Sequence, residues 1–218
     1  LTLDVCHIKV ALALLREFGR EGPLDELDVD ETIDRTCREG GELELVWRRR
    51  KLNRVKVLLL LDTGGSMDPH THLVNRLFSA ARDRFRNLKT YYFHNCVYQD
   101  LWEDMARDRH VPTRTVLDRL QGQWQVIFVG DASMAPSELL QVGGAIDYWY
   151  RNDRPGIRWL EEIRSRHPRS VWLNPLPDLI WPTTPSIDLV GRVFPMFGLT
   201  LHGLEDAMRY LSRARRGR

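Results

Sequence analysis

Five consecutive aliphatic residues, Val57-Leu58-Leu59-Leu60-Leu61, run directly into Asp62-Thr63-Gly64-Gly65-Ser66-Met67-Asp68. A run without polar interruption does not suit a strand with one wet face. It reads as a strand buried on both faces, the kind found in the middle of a parallel sheet. Asp62 ends the run and delivers a carboxylate to the carboxyl edge of that sheet, where open α/β sheets hold their ligands. The small residues that follow let the backbone turn tightly, and Ser66 adds a hydroxyl. A carboxylate and a hydroxyl converging there suit a hard cation with oxygen ligands.

The rest of the chain supplies neighbours for such a strand. Thr71–Leu88 carries Leu73, Leu77, Phe78, Ala81, Phe85 and Leu88 along one helical stripe. Strands are predicted at Thr90–Phe93, Gln125–Val129, Ser170–Leu173 and Phe194–Phe197, with Val97–Leu101 extending or pairing with the first of these. Helices are predicted at Thr115–Leu120, Ile157–Arg166, Ser186–Val193 and Leu204–Arg213. This alternation predicts an α/β, Rossmann-like fold, with a mostly parallel sheet and helices on both faces. Before it, residues 5–18 and 31–38 read as helices and 42–50 as a half-exposed strand with Leu43, Leu45 and Trp47 on one face. The expected organisation is a helical extension over 1–41 and one domain over 42–218, in keeping with a length of 218 residues.

Composition narrows the function classes. Lys and Arg number 32 against 30 Asp and Glu, a net charge of +2, and the basic residues are interspersed with acids. No nucleic-acid partner is expected. Arg48-Arg49-Arg50-Lys51 reads as a solvated strand end rather than a phosphate patch. No apolar run reaches membrane-spanning length, so no membrane partner is expected. Cys6, Cys37 and Cys96 are odd in number and irregularly spaced, which argues against a disulfide framework or a zinc site and points to the cytoplasm. The chain begins at Leu1 rather than Met, as a fragment would.

Two strands end alike, Leu58–Leu61 in Asp62 and Val126–Val129 in Gly130-Asp131. If both are central and parallel, the two acids share one sheet edge with Ser66. Val111-Pro112-Thr113-Arg114-Thr115 leads into a short helix and brings a further hydroxyl towards the same place. An Asp, Ser, Thr and Asp set has too few carboxylates for a calcium cage. It suits Mg²⁺, which keeps several waters, and leaves one coordination position for a partner's carboxylate.

These motifs resemble the von Willebrand factor A-type domain, and within that group the bacterial CoxE-like branch. The family's metal-ion-dependent adhesion site is Asp-x-Ser-x-Ser after the first strand, a later Thr, and an Asp after a later strand. The matching positions are Asp62, Gly64 and Ser66, then Thr113, then Asp131, within a resemblance covering roughly residues 42–212. Phe93-His94-Asn95, Val129-Gly130-Asp131-Ala132-Ser133-Met134 and Val171-Trp172-Leu173-Asn174-Pro175 resemble segments of the CoxE-like branch, as does the stretch with Arg16-Glu17-Phe18 and Asp28-Val29-Asp30. The resemblance implies Mg²⁺ or Mn²⁺ at Asp62, Ser66, Thr113 and Asp131, with Thr63, Gly64, Gly65 and Asp68 in the loop around them. By their place in the sequence, His70 just after that loop and His94 at a strand end on the same sheet edge are candidates for its rim, although His94 reads rather as a hydrogen-bonded structural histidine. It implies a non-catalytic module that binds an acidic residue of a partner protein. It further implies a MoxR-type AAA+ ATPase and a client, with this chain as adaptor in metalloenzyme assembly or activation. Gly64 departs from the motif, where the first serine belongs. A water is expected in its place, and Thr63 should point away from the site.

Other readings compete. A metal-free, degenerate A-type scaffold acting through aromatic loops is the main alternative, with Asp147-Tyr148-Trp149-Tyr150 and Ile180-Trp181-Pro182 as its surface. Leu60-Leu61-Asp62-Thr63-Gly64 also resembles an aspartic-protease loop, but that chemistry needs a second such aspartate and an all-β fold. A haloacid-dehalogenase-type phosphatase needs a second Asp where Gly64 stands. No phosphate loop and no nucleophile elbow is present.

Overall fold

The apolar run forms strand β3 (Lys56–Asp62), and its two faces serve two separate cores. Val57, Leu59 and Leu61 belong to one cluster, Leu58 and Leu60 to the other. The same alternation divides β7 (Trp124–Val129) and β8 (Ser170–Asn174): Ile127, Val129, Val171 and Leu173 face one way, Val126, Phe128 and Trp172 the other. Side chains alternate across a pleated strand, so a run apolar at every position must be covered twice. The computed structural model describes residues 4–16, 18–120, 123–145 and 151–213.

Helices provide both covers. The first core is closed by α1 (Val5–Leu12), α3 (Thr71–Arg84) and α8 (Leu201–Arg213), through Ile8, Leu77, Leu204 and Leu211. The second is closed by α4 (Thr113–Arg119), α5 (Pro136–Leu140), α6 (Gly156–Arg166) and α7 (Pro185–Val193). Between the helical layers, β4 (Asn87–Phe93), β5 (Asp100–Trp102), β6 (His110–Pro112) and β9 (Met196–Gly198) complete a seven-stranded sheet of order β6-β5-β4-β3-β7-β8-β9. Strands β4, β3, β7, β8 and β9 are parallel neighbours, while β5 and β6 add an antiparallel edge. The α/β fold with a mostly parallel sheet is therefore as the sequence implies. It is not the all-β fold an aspartic protease requires.

The chain leaves β3 towards β4 on one side and later returns to β7 on the other. That reversal opens a crevice at the carboxyl ends of the two strands, the position favoured for ligands in open α/β sheets. Asp62 ends β3, and Asp131 lies just beyond β7.

Several boundaries differ from the sequence reading. The helix predicted over 5–18 ends at Leu12, with a tightened turn after it in which Leu14 and Leu15 N–H donate to Ala11 and Leu12 carbonyls. Helix α3 stops at Arg84 rather than Leu88, because residues from Asn87 pair with β3 in parallel register, Lys56 with Asn87 and Val57 with Leu88. The strand expected over 42–50 lies at β2 (Trp47–Asn53), and Leu43, Leu45 and Trp47 are exposed.

The boundary expected between 41 and 42 runs through a structural unit. The chain divides into Leu1–Leu15 with Val55–Arg218, and Arg16–Arg54. The smaller unit is not purely helical: α2 (Val29–Arg38) accompanies β2 and an unanticipated strand, β1 (Phe18–Leu27), paired antiparallel with it. Two glycines and a proline hide this strand in the sequence. Gly22 takes φ +92, a left-handed conformation that only glycine adopts freely, where the β1–β2 register shifts. The Arg48–Lys51 run lies on β2. There Arg48 pairs with Glu26 at 2.7 Å and Asp28 at 3.0 Å, and Arg50 with Asp25 at 3.0 Å, so acids of the same unit answer it.

Among the described residues, no helix is long and apolar enough to cross a membrane. All three cysteines are free; Cys6 and Cys37 are exposed and Cys96 is buried.

Candidate functional site

Asp62 is 5% exposed, and its two carboxylate oxygens differ. Oδ1 accepts hydrogen bonds from the N–H of Gly64 at 2.8 Å and of Asn95 at 2.9 Å. Oδ2 is buried with no hydrogen-bond partner. A bare buried carboxylate oxygen is costly unless something cationic or proton-bearing faces it. Burial is the main reason the Asp62 carboxyl is pushed up to about 7; the Gly64 and Asn95 N–H bonds resist the rise, and the Asp131 and Glu138 charges add to it.

Pairing of β3 with β7 brings the second acid close. Leu61 lies opposite Val129, so Gly130 comes alongside Asp62. A Cβ at residue 130 would stand 2.8 Å from Asp62 Cβ and 3.0 Å from Oδ2, so glycine permits this approach. Asp131 follows, 3% exposed, with Oδ1 accepting from Ser133 N–H at 2.9 Å and its carbonyl accepting from Asn174 Nδ2 at 2.7 Å. Trp172 Nε1 donates to the Gly130 carbonyl at 2.7 Å. Beneath this loop the Trp172 ring stacks on Phe128, centroids 4.8 Å apart, with Phe93 and Phe194 around them.

The hydroxyl residues are placed differently. Thr113 is fully buried at the start of α4, and its Oγ1 donates to the Tyr98 carbonyl at 2.6 Å. Ser66 is exposed in a 3-10 turn spanning Gly65–His70. No hydrogen bond joins either hydroxyl to Asp62 or Asp131 among the described residues. The Thr63 N–H and Oγ1 both donate to the Phe93 carbonyl, at 2.8 and 3.0 Å. Asp62, Thr63, Gly64 and Asp68 line a recess of about 210 Å³, and Gly65 is exposed beside it. His70, at the end of the 3-10 turn, and His94, just after β4, are half-buried, and neither lines that recess. Residues 147–150 of the aromatic loop lie outside the described residues. Trp181 of the other aromatic segment packs partly on the second core and donates from Nε1 to the Leu176 carbonyl at 3.1 Å.

Asn95, named from the sequence only within the Phe93-His94-Asn95 segment, and Glu138, not named from it at all, belong to the site. Asn95 takes φ +58 just after β4. Its Nδ2 donates to Glu138 Oε2 at 3.0 Å, and Glu138, only 2% exposed, accepts the Ala135 N–H on Oε1 at 3.1 Å at the start of α5. Tyr98 ties this pair to Thr113: its hydroxyl donates to the Glu138 carbonyl at 3.1 Å, while its own carbonyl receives Thr113. A continuous chain of contacts thus links Thr113, Tyr98, Glu138, Asn95 and Asp62. Besides that segment, the sequence signal for Asn95 was an Asn two residues beyond a strand, where a left-handed turn residue is favoured. The buried Cys96 thiol beside these acids is pushed far up, by burial first and then by the Asp62 and Glu138 charges, so it stays protonated.

The donor set fits a hard divalent ion in two respects: it is all oxygen, and Asp62 Oδ2 is buried and bare. Among the described residues, no three His, Cys, Asp or Glu side chains gather as a ready ligand cluster, so an ion here would depend on hydroxyls and water as well.

Residues 7–121 match the family described as "VWA domain containing CoxE-like protein". No curated protein and no solved structure matches the chain.

Proposed function

Since this chain belongs to the family of CoxE-like proteins that contain a VWA domain, we propose that it is a binding module rather than an enzyme, and that it engages a protein partner through a divalent cation. Asp62, Ser66, Thr113 and Asp131 hold Mg²⁺ or Mn²⁺ in this proposal, directly or through water. The supporting observation is the buried Asp62 carboxylate, whose Oδ2 has no partner. Two backbone N–H groups orient this carboxylate through Oδ1 and leave Oδ2 for the ion. The Ser133 N–H fixes Asp131, and the Tyr98 carbonyl fixes the rotamer of Thr113 while its oxygen lone pairs stay available. A bound cation supplies an open coordination position that a carboxylate of the partner completes.

The partners we propose follow the family resemblance: a MoxR-type AAA+ ATPase and an acidic client, with this chain joining them. The test is titration calorimetry with Mn²⁺ on the intact chain and on Asp62→Ala, then co-purification with such an ATPase in Mg²⁺ and in EDTA. Saturable uptake lost in Asp62→Ala, and ATPase capture lost in EDTA, are expected. No uptake by the intact chain rejects the metal.

A second reading, a metal-free scaffold, is favoured by one observation. Residue 64 carries no side-chain oxygen, so the motif is one ligand short. EDTA then leaves both the melting temperature and partner capture unchanged.

A further inference from the structure

The absent serine at 64 has left its volume occupied. A Cβ built on Gly64 falls inside the contact distance of Asn95 Oδ1 and lies 3.3 Å from Asp62 Oδ1. The amide oxygen of a residue from the next strand therefore sits where a side chain at 64 would begin.

The orientation of this amide is set by chemistry. Its Nδ2 donates to Glu138 Oε2 at 3.0 Å, which leaves the amide oxygen facing Gly64. Glu138 is 2% exposed and anchored at its other oxygen by the Ala135 N–H, so it holds the amide rigidly. The backbone of Asn95, at φ +58, directs its own N–H onto Asp62 Oδ1 at 2.9 Å. One residue thus both fixes the Asp62 carboxylate and presents a neutral oxygen next to it. Beside them lies the buried, unpartnered Asp62 Oδ2.

We propose that Asn95 Oδ1 is a metal ligand of this site and replaces the oxygen that a serine at 64 would contribute. Gly64 and Asn95 form a matched pair: the glycine makes room, and the amide, locked by Glu138, fills it. Amide carbonyl oxygens serve hard cations as well as hydroxyls do. The inference rests on the proposed divalent-ion site and specifies how a site lacking one motif serine is completed.

The exchange can be tested in the intact chain by Mn²⁺ titration, followed by the loss of the free-ion electron paramagnetic resonance signal. Asn95→Gly removes the amide and keeps a residue suited to φ +58, so its melting temperature without metal is the control for folding. Asn95→Gly is expected to weaken Mn²⁺ binding by about tenfold or more. Gly64→Ser alone is expected to lower the metal-free melting temperature, because the new side chain collides with Asn95. Gly64→Ser combined with Asn95→Gly is expected to return Mn²⁺ affinity to within about threefold of the parent, the motif serine being restored. Equal Mn²⁺ binding by the parent and Asn95→Gly overturns the role of Asn95 and leaves the metal site standing. Loss in Asn95→Gly that the double variant does not recover overturns the replacement. No Mn²⁺ binding by the parent overturns the metal site and this inference together.

Discussion

Asp62 holds one oxygen satisfied and one bare, and the resulting shift in its carboxyl has a definite sign. The group's ordinary value is 3.8, and burial pushes it up to about 7 in the folded chain. Between these values the folded state holds a proton that the unfolded state has released. Metal-free stability from this group is therefore fully present below about pH 4, falls as pH rises, and is lost above about pH 7. Asp62→Asn removes this slope; urea midpoints in EDTA across that range should decline for the parent and stay flatter for the variant. The whole effect is on the order of a few kcal/mol. Gly130 is tuned to the same carboxylate. Gly130→Ala places a methyl 2.8 Å from Asp62 Cβ, and such overpacking should cost about 1–3 kcal/mol by denaturant melts.

The strand ends and the helix starts around them are held by few, identifiable contacts. Trp172 on β8 supports the loop carrying Asp131 through its 2.7 Å bond to the Gly130 carbonyl. Trp172→Phe keeps most of the stacking on Phe128 but leaves that buried carbonyl without its donor, and should lower stability by about 1–3 kcal/mol. In the smaller unit, Asp28 caps α2 by accepting the Glu31 N–H at 3.3 Å and also pairs with Arg48 at 3.0 Å. Burial pushes the Asp28 carboxyl up, yet the Glu31 N–H and the Arg48 guanidinium together hold it below its usual range. Asp28→Ala should loosen the start of α2, read as faster hydrogen exchange in its first turn. The Trp172 bond and the Asp28–Arg48 pair cross from one element to another, which segment-by-segment propensity does not weigh.

If the proposed ion binds only the folded chain, Mg²⁺ at about a hundred times its dissociation constant adds roughly 2.7 kcal/mol of stability. The melting temperature should rise in Mg²⁺ over EDTA for the parent and stay constant for Asp62→Ala. Much of the architecture carrying this site is visible in linear order. Burial of β3 and β7 on both faces, the stripe of α3 and the acids closing both strands are patterns within short segments, and short-range periodicity reports how a segment is buried. The order β6-β5-β4-β3-β7-β8-β9 is not such a pattern. Nor is the strand β1, the early end of α3, or the place of Asn95 against both Asp62 and Glu138. Those depend on which strands pair and in what register, so they join residues far apart along the chain. A glycine at 64 looks from the sequence like a missing ligand; in the fold it is the space into which a distant amide oxygen fits. Local pattern states what each segment must bury, and only the packed chain states which side chains then meet.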